Sequence, residues 1–211
     1  SSTPADDVNI VLVMPTWRGA LSDDRLGEDS LKAVAASEYV QRWGALLRDE
    51  RLREQIERHG LRLVFMPHPN AVPFLPAFEL PKHVEVLTKA DIGIQQLFAR
   101  SAIMVTDYSS VAFEMAYLRR PVIYYHYDFV DFYGGDHNWR QGYYDYAKDG
   151  FGPIAYELEQ VMEQLLIFMQ NRKSFSDAYL PRMIKSLPER DGKACKRLFE
   201  RIMELSAPRL V

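Results

Sequence analysis

The sequence predicts an α/β domain with a parallel sheet flanked by helices, and three observations carry that expectation. Short runs with almost no polar residue recur at Asn9 to Met14, Leu61 to Met66, Ile103 to Val105 and Val122 to Tyr125. Apolar runs without alternation mark strands buried on both faces, as in parallel sheets. Between them lie stretches whose apolar residues repeat at three- and four-residue spacing, the helical period. Several strand candidates end in a polar or proline-bounded segment, and open parallel sheets bind ligands at the carboxyl ends of their strands.

Composition sets the outer limits. The 211 residues are 47% hydrophobic and 26% charged, ordinary for a globular domain with its own core. A single cysteine, Cys195, excludes an internal disulfide and suits a reducing, cytoplasmic compartment. No apolar run approaches the roughly 20 residues that span a bilayer. The longest, Val161 to Met169, is broken by Glu163 and Gln164. Residues 1–7 read as a linker or the edge of an excised domain, 8–170 as the main domain, and 171–211 as C-terminal helices packed on it. The formal net charge of −3 is uneven, because residues 171–211 hold ten Lys/Arg against five Asp/Glu. Such a basic tail suits an anionic polymer, peripheral contact with anionic lipid, or simply a solvated helix face. No partner role for nucleic acid is expected.

After the first strand come Pro15, Thr16, Trp17 and Arg18, with Gly19 allowing a turn. Arg18 stands where strand becomes loop, and its guanidinium suits a phosphate; it equally suits packing on Trp17. Leu21 to Ser37 reads as a long polar loop. Ser37 then caps one helix running to about His59, with Val40, Trp43, Leu47, Leu52 and Ile56 as its core stripe and Gly60 as its stop. The second strand delivers Pro67-His68-Pro69-Asn70. Two prolines exclude helix around His68 and present its imidazole rigidly, to bind a phosphate oxygen, to act as acid or base, or merely to sit in a loop. Val84 to Leu87 is a third strand, and Asp91 to Ala99 a short helix for which Asp91 is a candidate cap.

The centre of the chain is Ala102 to Tyr125, a strand, a polar turn, a helix closed by Arg119-Arg120-Pro121, and a further strand. The turn holds Thr106, Asp107, Tyr108, Ser109 and Ser110. Hydroxyls and unpaired N–H groups at the start of a helix suit phosphates, and the same residues also suit a plain helix cap. Asp107 would bind a ribose, orient Ser109 or cap the backbone, and Glu114 lies one turn into the helix. The long stretch from Phe132 to Pro153 carries Asp136, His137, Arg140, Tyr143 and Asp145. One Asp-His pair lacks the spaced ligands of a metal site, so no metal is expected. Leu158 to Met169 is amphipathic, Pro181 is expected to interrupt the next helix, and Cys195 falls in the apolar stripe of the last one, where it should be buried.

Four motifs in order, MPTWR (Met14 to Arg18), MPHPN (Met66 to Asn70), VTDYSSVAFE (Val105 to Glu114) and GYYDYAKDGFGP (Gly142 to Pro153), resemble the CDP-glycerol glycerophosphotransferase family. These are the enzymes of teichoic-acid and capsule polymers. The likeness runs over about residues 8 to 170. It implies a Rossmann-like sheet that is the C-terminal, nucleotide-binding domain of a GT-B fold. It further implies CDP-glycerol as donor substrate with no cofactor, an anionic polymer as acceptor, and a preceding N-terminal domain carrying the catalytic base. By the same likeness His68 is the catalytic candidate and contacts the diphosphate. Arg18, Thr106, Asp107, Ser109, Ser110, Glu114, His137 and Arg140 are candidate substrate-binding residues. Glu114 stands where many members carry Asp, a mild departure. Rival readings are a nucleotide-sugar glycosyltransferase or epimerase on the same fold, and a non-catalytic nucleotide- or partner-binding domain.

Overall fold

The computed structural model describes residues 8–22, 30–134 and 142–206. β1 (Ile10–Val13) is followed by a 3-10 turn at Gly19–Ser22, then α1 (Ser30–Ala35), α2 (Glu38–Leu47) and α3 (Glu50–Arg58). β2 (Arg62–Phe65) leads through a proline-rich 3-10 segment, Pro69–Phe78, to β3 (Val84–Val86), α4 (Ile94–Arg100) and β4 (Ser101–Thr106). α5 (Ala112–Tyr117), β5 (Val122–Tyr125), α6 (Phe129–Gly134), α7 (Tyr146–Asp149) and β6 (Ile154–Ala155) come next. α8 (Leu158–Gln170), α9 (Arg172–Ser186) and α10 (Ala194–Ser206) complete the described chain.

The six strands form one sheet in the order β3-β2-β1-β4-β5-β6, and every pairing is parallel. β1 lies between β2 and β4, and its four residues are fully buried. Period two sends alternate residues to opposite faces. Val11, Val13, Phe65, Ile103 and Tyr125 join the core with α2, α3 and α8, while Ile10, Leu12, Val64, Met104 and Tyr124 join the core with α4 and α5. The sheet is thus covered on both sides, as its unbroken apolar strands require.

Five local expectations change. The single helix from Ser37 to His59 is two, because Asp49 takes an extended conformation and its carboxylate caps a new start by accepting from Arg51 N and Leu52 N. Ser37 caps the first through Val40 N and Gly60 ends the second at φ +60°. The Leu21–Ser37 loop contains α1. Asp91 does not cap α4; its carboxylate closes a turn on Thr88, and Gly93 takes the cap position. α9 runs through Pro181 despite the lost N–H, with Phe175 and Met183 anchored in the core on either side. Cys195 is exposed, not buried: the apolar stripe of α10 (Leu198, Phe199, Ile202, Met203) faces outward, and no residue of that helix is buried.

Candidate functional site

A cavity of about 810 Å³ opens at the carboxyl end of the sheet. Met14, Pro15 and Thr16 bring β1 to it, Met66 to Pro69 bring β2, Thr88 and Lys89 follow β3, and Tyr108 to Val111 follow β4. Phe132 and Tyr133 of α6 form another part of the wall. That is the ligand position of an open parallel sheet, at the strands where the order turns from 1 to 4. The volume lies in the usual range for a small-molecule site.

Ser109 and Ser110 share this cavity with His68, although about forty residues separate them in the chain. The Ser109 hydroxyl oxygen accepts from Val111 N at 3.4 Å, and the Ser109 and Ser110 carbonyls accept from Ala112 N and Phe113 N. The backbone N–H groups of Ser109 and Ser110 have no acceptor among the described residues. His68 Nδ1 accepts from Asn70 N at 3.2 Å, so the neutral ring carries its proton on Nε2 and has a donor to offer. Burial, with the charge of Lys89 beside it, lowers the His68 pKa from its ordinary value. A protonated ring would also turn Nδ1–H against Asn70 N–H. Both effects favour a neutral donor.

Arg18 and Asp107 lie beneath the cavity, not in its wall. Arg18 is 5% exposed, and its guanidinium is consumed by protein. Nη1 donates to Asp107 Oδ2 at 2.8 Å and to the Thr16 carbonyl at 2.6 Å, while Nε and Nη2 donate to Asp128 at 2.7 and 3.1 Å. Burial works against this charge, but Asp107, Tyr127 and Asp128 outweigh it and raise the pKa. Asp107 in turn accepts from Thr16 N and Tyr108 N, at 2.9 and 2.8 Å. Neither residue has a group left for a ribose or phosphate in this arrangement. Thr106 is buried as well, its hydroxyl donating to the Met14 carbonyl at 2.6 Å. Glu114 is exposed on α5 outside the cavity lining. His137 and Arg140 lie outside the described residues.

Sequence reasoning missed four participants. Lys89 supplies a cation to the cavity, and a lysine two residues after a strand was the available signal. Asp128 completes the Arg18 pairing, and only folding brings it there. Tyr108 donates to Asp128 at 3.0 Å and stacks between His126 and Phe132, at 4.5 and 3.8 Å. His126 is buried; its Nε2 donates to the Asp107 carbonyl at 3.2 Å, Nδ1 has no partner, and burial pushes its pKa down to about 4. A smaller cavity of about 260 Å³ adjoins the serines, lined by Phe113, Tyr124, Tyr143, Tyr144 and Tyr146. Among the described residues no cluster of three or more His, Cys, Asp or Glu could hold a metal ion, and no helix is long and apolar enough to cross a membrane.

Residues 3–204 match the family model described as CDP-Glycerol:Poly(glycerophosphate) glycerophosphotransferase. The chain belongs to this family. Its relatives include the minor teichoic acid biosynthesis protein GgaB of Bacillus subtilis (strain 168), 34% identical over 92% of this chain and 21% of that protein. The teichoic acid glycerol-phosphate transferase of Staphylococcus aureus (strain NCTC 8325 / PS 47) is 26% identical over 94% of this chain and 46% of that protein. Among solved structures, the wall teichoic acid polymerase TagF superposes with a TM-score of 0.61 at 20% identity, covering 94% of this chain and 44% of TagF, a likeness of fold. The chain therefore spans less than half the length of these relatives. The family match takes in α9 and α10, beyond the stretch that the four motifs cover.

Proposed function

We propose that this chain is the donor-binding half of a CDP-glycerol-type glycerophosphotransferase. The observation that carries this reading is the meeting of Ser109, Ser110, His68 and Lys89 on one cavity at the carboxyl ends of the strands. The two seryl N–H groups and hydroxyls, the His68 Nε2–H and the Lys89 ammonium supply donors and positive charge for a diphosphate. An acceptor hydroxyl of a growing anionic polymer attacks the β-phosphorus of CDP-glycerol. The new O–P bond forms as the bond to the bridging oxygen breaks, glycerol phosphate passes to the polymer, and CMP departs with the electron pair. Such a step depends on positioning and on stabilising phosphate charge. His68 touches the donor as a hydrogen-bond donor; its depressed pKa argues against its protonating the leaving CMP at neutral pH. The base that takes the acceptor's proton belongs to a preceding domain, against which the outward apolar face of α10 packs.

Calorimetry with the 211-residue chain tests this. CDP-glycerol binds in preference to CDP-ribitol and UDP-sugars, the isolated chain turns over none of them, and Ser109→Ala with Ser110→Ala weakens binding. A preference for a UDP-sugar, or no nucleotide binding at all, overturns the reading.

A further inference from the structure

The opposite end of the sheet carries a second polar cavity, of about 290 Å³. It lies at the amino end of β4, beside Ala102 and the Arg119-Arg120 pair that links α5 to β5, with Arg172 and Ser176 of α9 across from them. β4 has six residues, so roughly 20 Å of strand separates this cavity from the Ser109–His68 site. We propose that it is an anion site that takes the phosphate group of a phosphodiester or phosphomonoester.

Three independent features point there. First, Arg119, Arg120 and Arg172 meet on one cavity with Arg190 close by, and none of the four forms an ion pair with a carboxylate among the described residues. Second, Arg119 has a polar atom without a partner. Its Nη2 donates to the Leu187 carbonyl at 2.8 Å, while Nη1 is buried and unsatisfied. Buried donors are almost always satisfied, and one that is not needs an explanation. Third, Arg119 occupies the position after α5 where glycine is usual, at φ +58°, with Arg119 N and Arg120 N bonded back to Ala116 O and Met115 O. L-residues avoid that conformation, and an arginine rather than a glycine at this strained position fits a side chain that is used. Burial, with Arg190 close by, lowers the pKa of both Arg119 and Arg120; a bound anion relieves that repulsion. Guanidinium forks match phosphate oxygens in bidentate geometry. Arg172 and Arg190 both come from the basic C-terminal region, so this site gives part of that charge a local use. The inference does not depend on what the main cavity binds.

The test follows arginine Nε–Hε and backbone resonances of the 211-residue chain during titration with inorganic phosphate, then with a defined glycerol-phosphate oligomer. Signals of Arg119, Arg120 and Arg172 shift together and return as salt is raised. Arg120→Gln with Arg172→Gln spares the Leu187 contact and weakens oligomer binding at least tenfold without altering CDP-glycerol binding. Sedimentation with phosphatidylglycerol vesicles separates the sources: loss of co-sedimentation in the same variant, without an oligomer response, assigns the phosphate to a lipid headgroup. Arginine signals unmoved by phosphate, oligomer and vesicles in the unmutated chain overturn the proposal, as does undiminished binding by the folded variant. Ser109→Ala with Ser110→Ala leaves this binding intact.

Discussion

Two polar regions lie within a few residues of each other at the end of β4 and behave in opposite ways. The Arg18–Asp107–Asp128 cluster is closed: each charge has partners at hydrogen-bond distance, and aromatic rings surround it, with the Arg18 guanidinium 5.0 to 5.7 Å from the rings of Phe132, Tyr108, Tyr39 and Tyr127. The serines two and three positions later line a cavity, and their N–H groups have no acceptor among the described residues. Charge on a sequence motif does not tell scaffold from site. Satisfied polar groups hold the end of the sheet in shape, whereas unsatisfied ones beside a cavity remain available to a ligand.

That contrast can be broken by mutation. Arg18→Met leaves the buried Asp107 and the partly buried Asp128 without their counter-charge and should cost about 3–5 kcal/mol of folding stability, measured by urea denaturation. A loss under 1 kcal/mol would mean the cluster is not structural. Next in size is a pH effect on the closed side. His126 titrates near 6.5 when unfolded and near 4 when folded, so the unfolded chain takes the proton first as pH falls. Its contribution is whole above about pH 6.5 and is lost progressively down to about pH 4, at most about 3 kcal/mol. Denaturation at a series of pH values should show that slope, and His126→Gln should flatten it.

On the open side, Ser109→Ala with Ser110→Ala should weaken CDP-glycerol binding at least about tenfold, since each hydrogen bond to a charged group contributes about 1.5–3 kcal/mol. Its unfolding free energy should stay within about 0.5 kcal/mol of the parent. A large stability loss would make the serines scaffold after all. The smallest effect belongs to Thr106→Val, which removes a buried hydroxyl donating to Met14 O. It should cost about 1 kcal/mol of stability and leave nucleotide affinity unchanged by calorimetry.

The sheet was legible because β1, β2, β4 and β5 are almost wholly apolar without alternation, the pattern of strands in a doubly covered parallel sheet. β6, two residues long, had no such signal. The turn at Ser109 and the proline-framed His68 were legible as strand ends, and their meeting follows from parallel strands ending on one side. Arg18, Asp107 and Thr106 were read as ligand groups because sequence shows residue type and position but not which partner arrives from a hundred residues away. For Arg18 that partner is Asp128, for Asp107 it is Arg18, and for Thr106 it is the Met14 carbonyl. Cys195 shows the reverse error: a helical stripe reveals an apolar face, but not whether anything covers it.

The carboxylate of Asp107 has one further consequence. It grips the amide of Thr16 from the loop after β1, the amide of Tyr108 from the loop after β4, and the guanidinium of Arg18. Two walls of the main cavity are therefore tied to a single atom group and cannot drift apart independently. A ligand entering there finds these walls already arrested, so less of its contact energy is spent on freezing the host and more is kept as affinity.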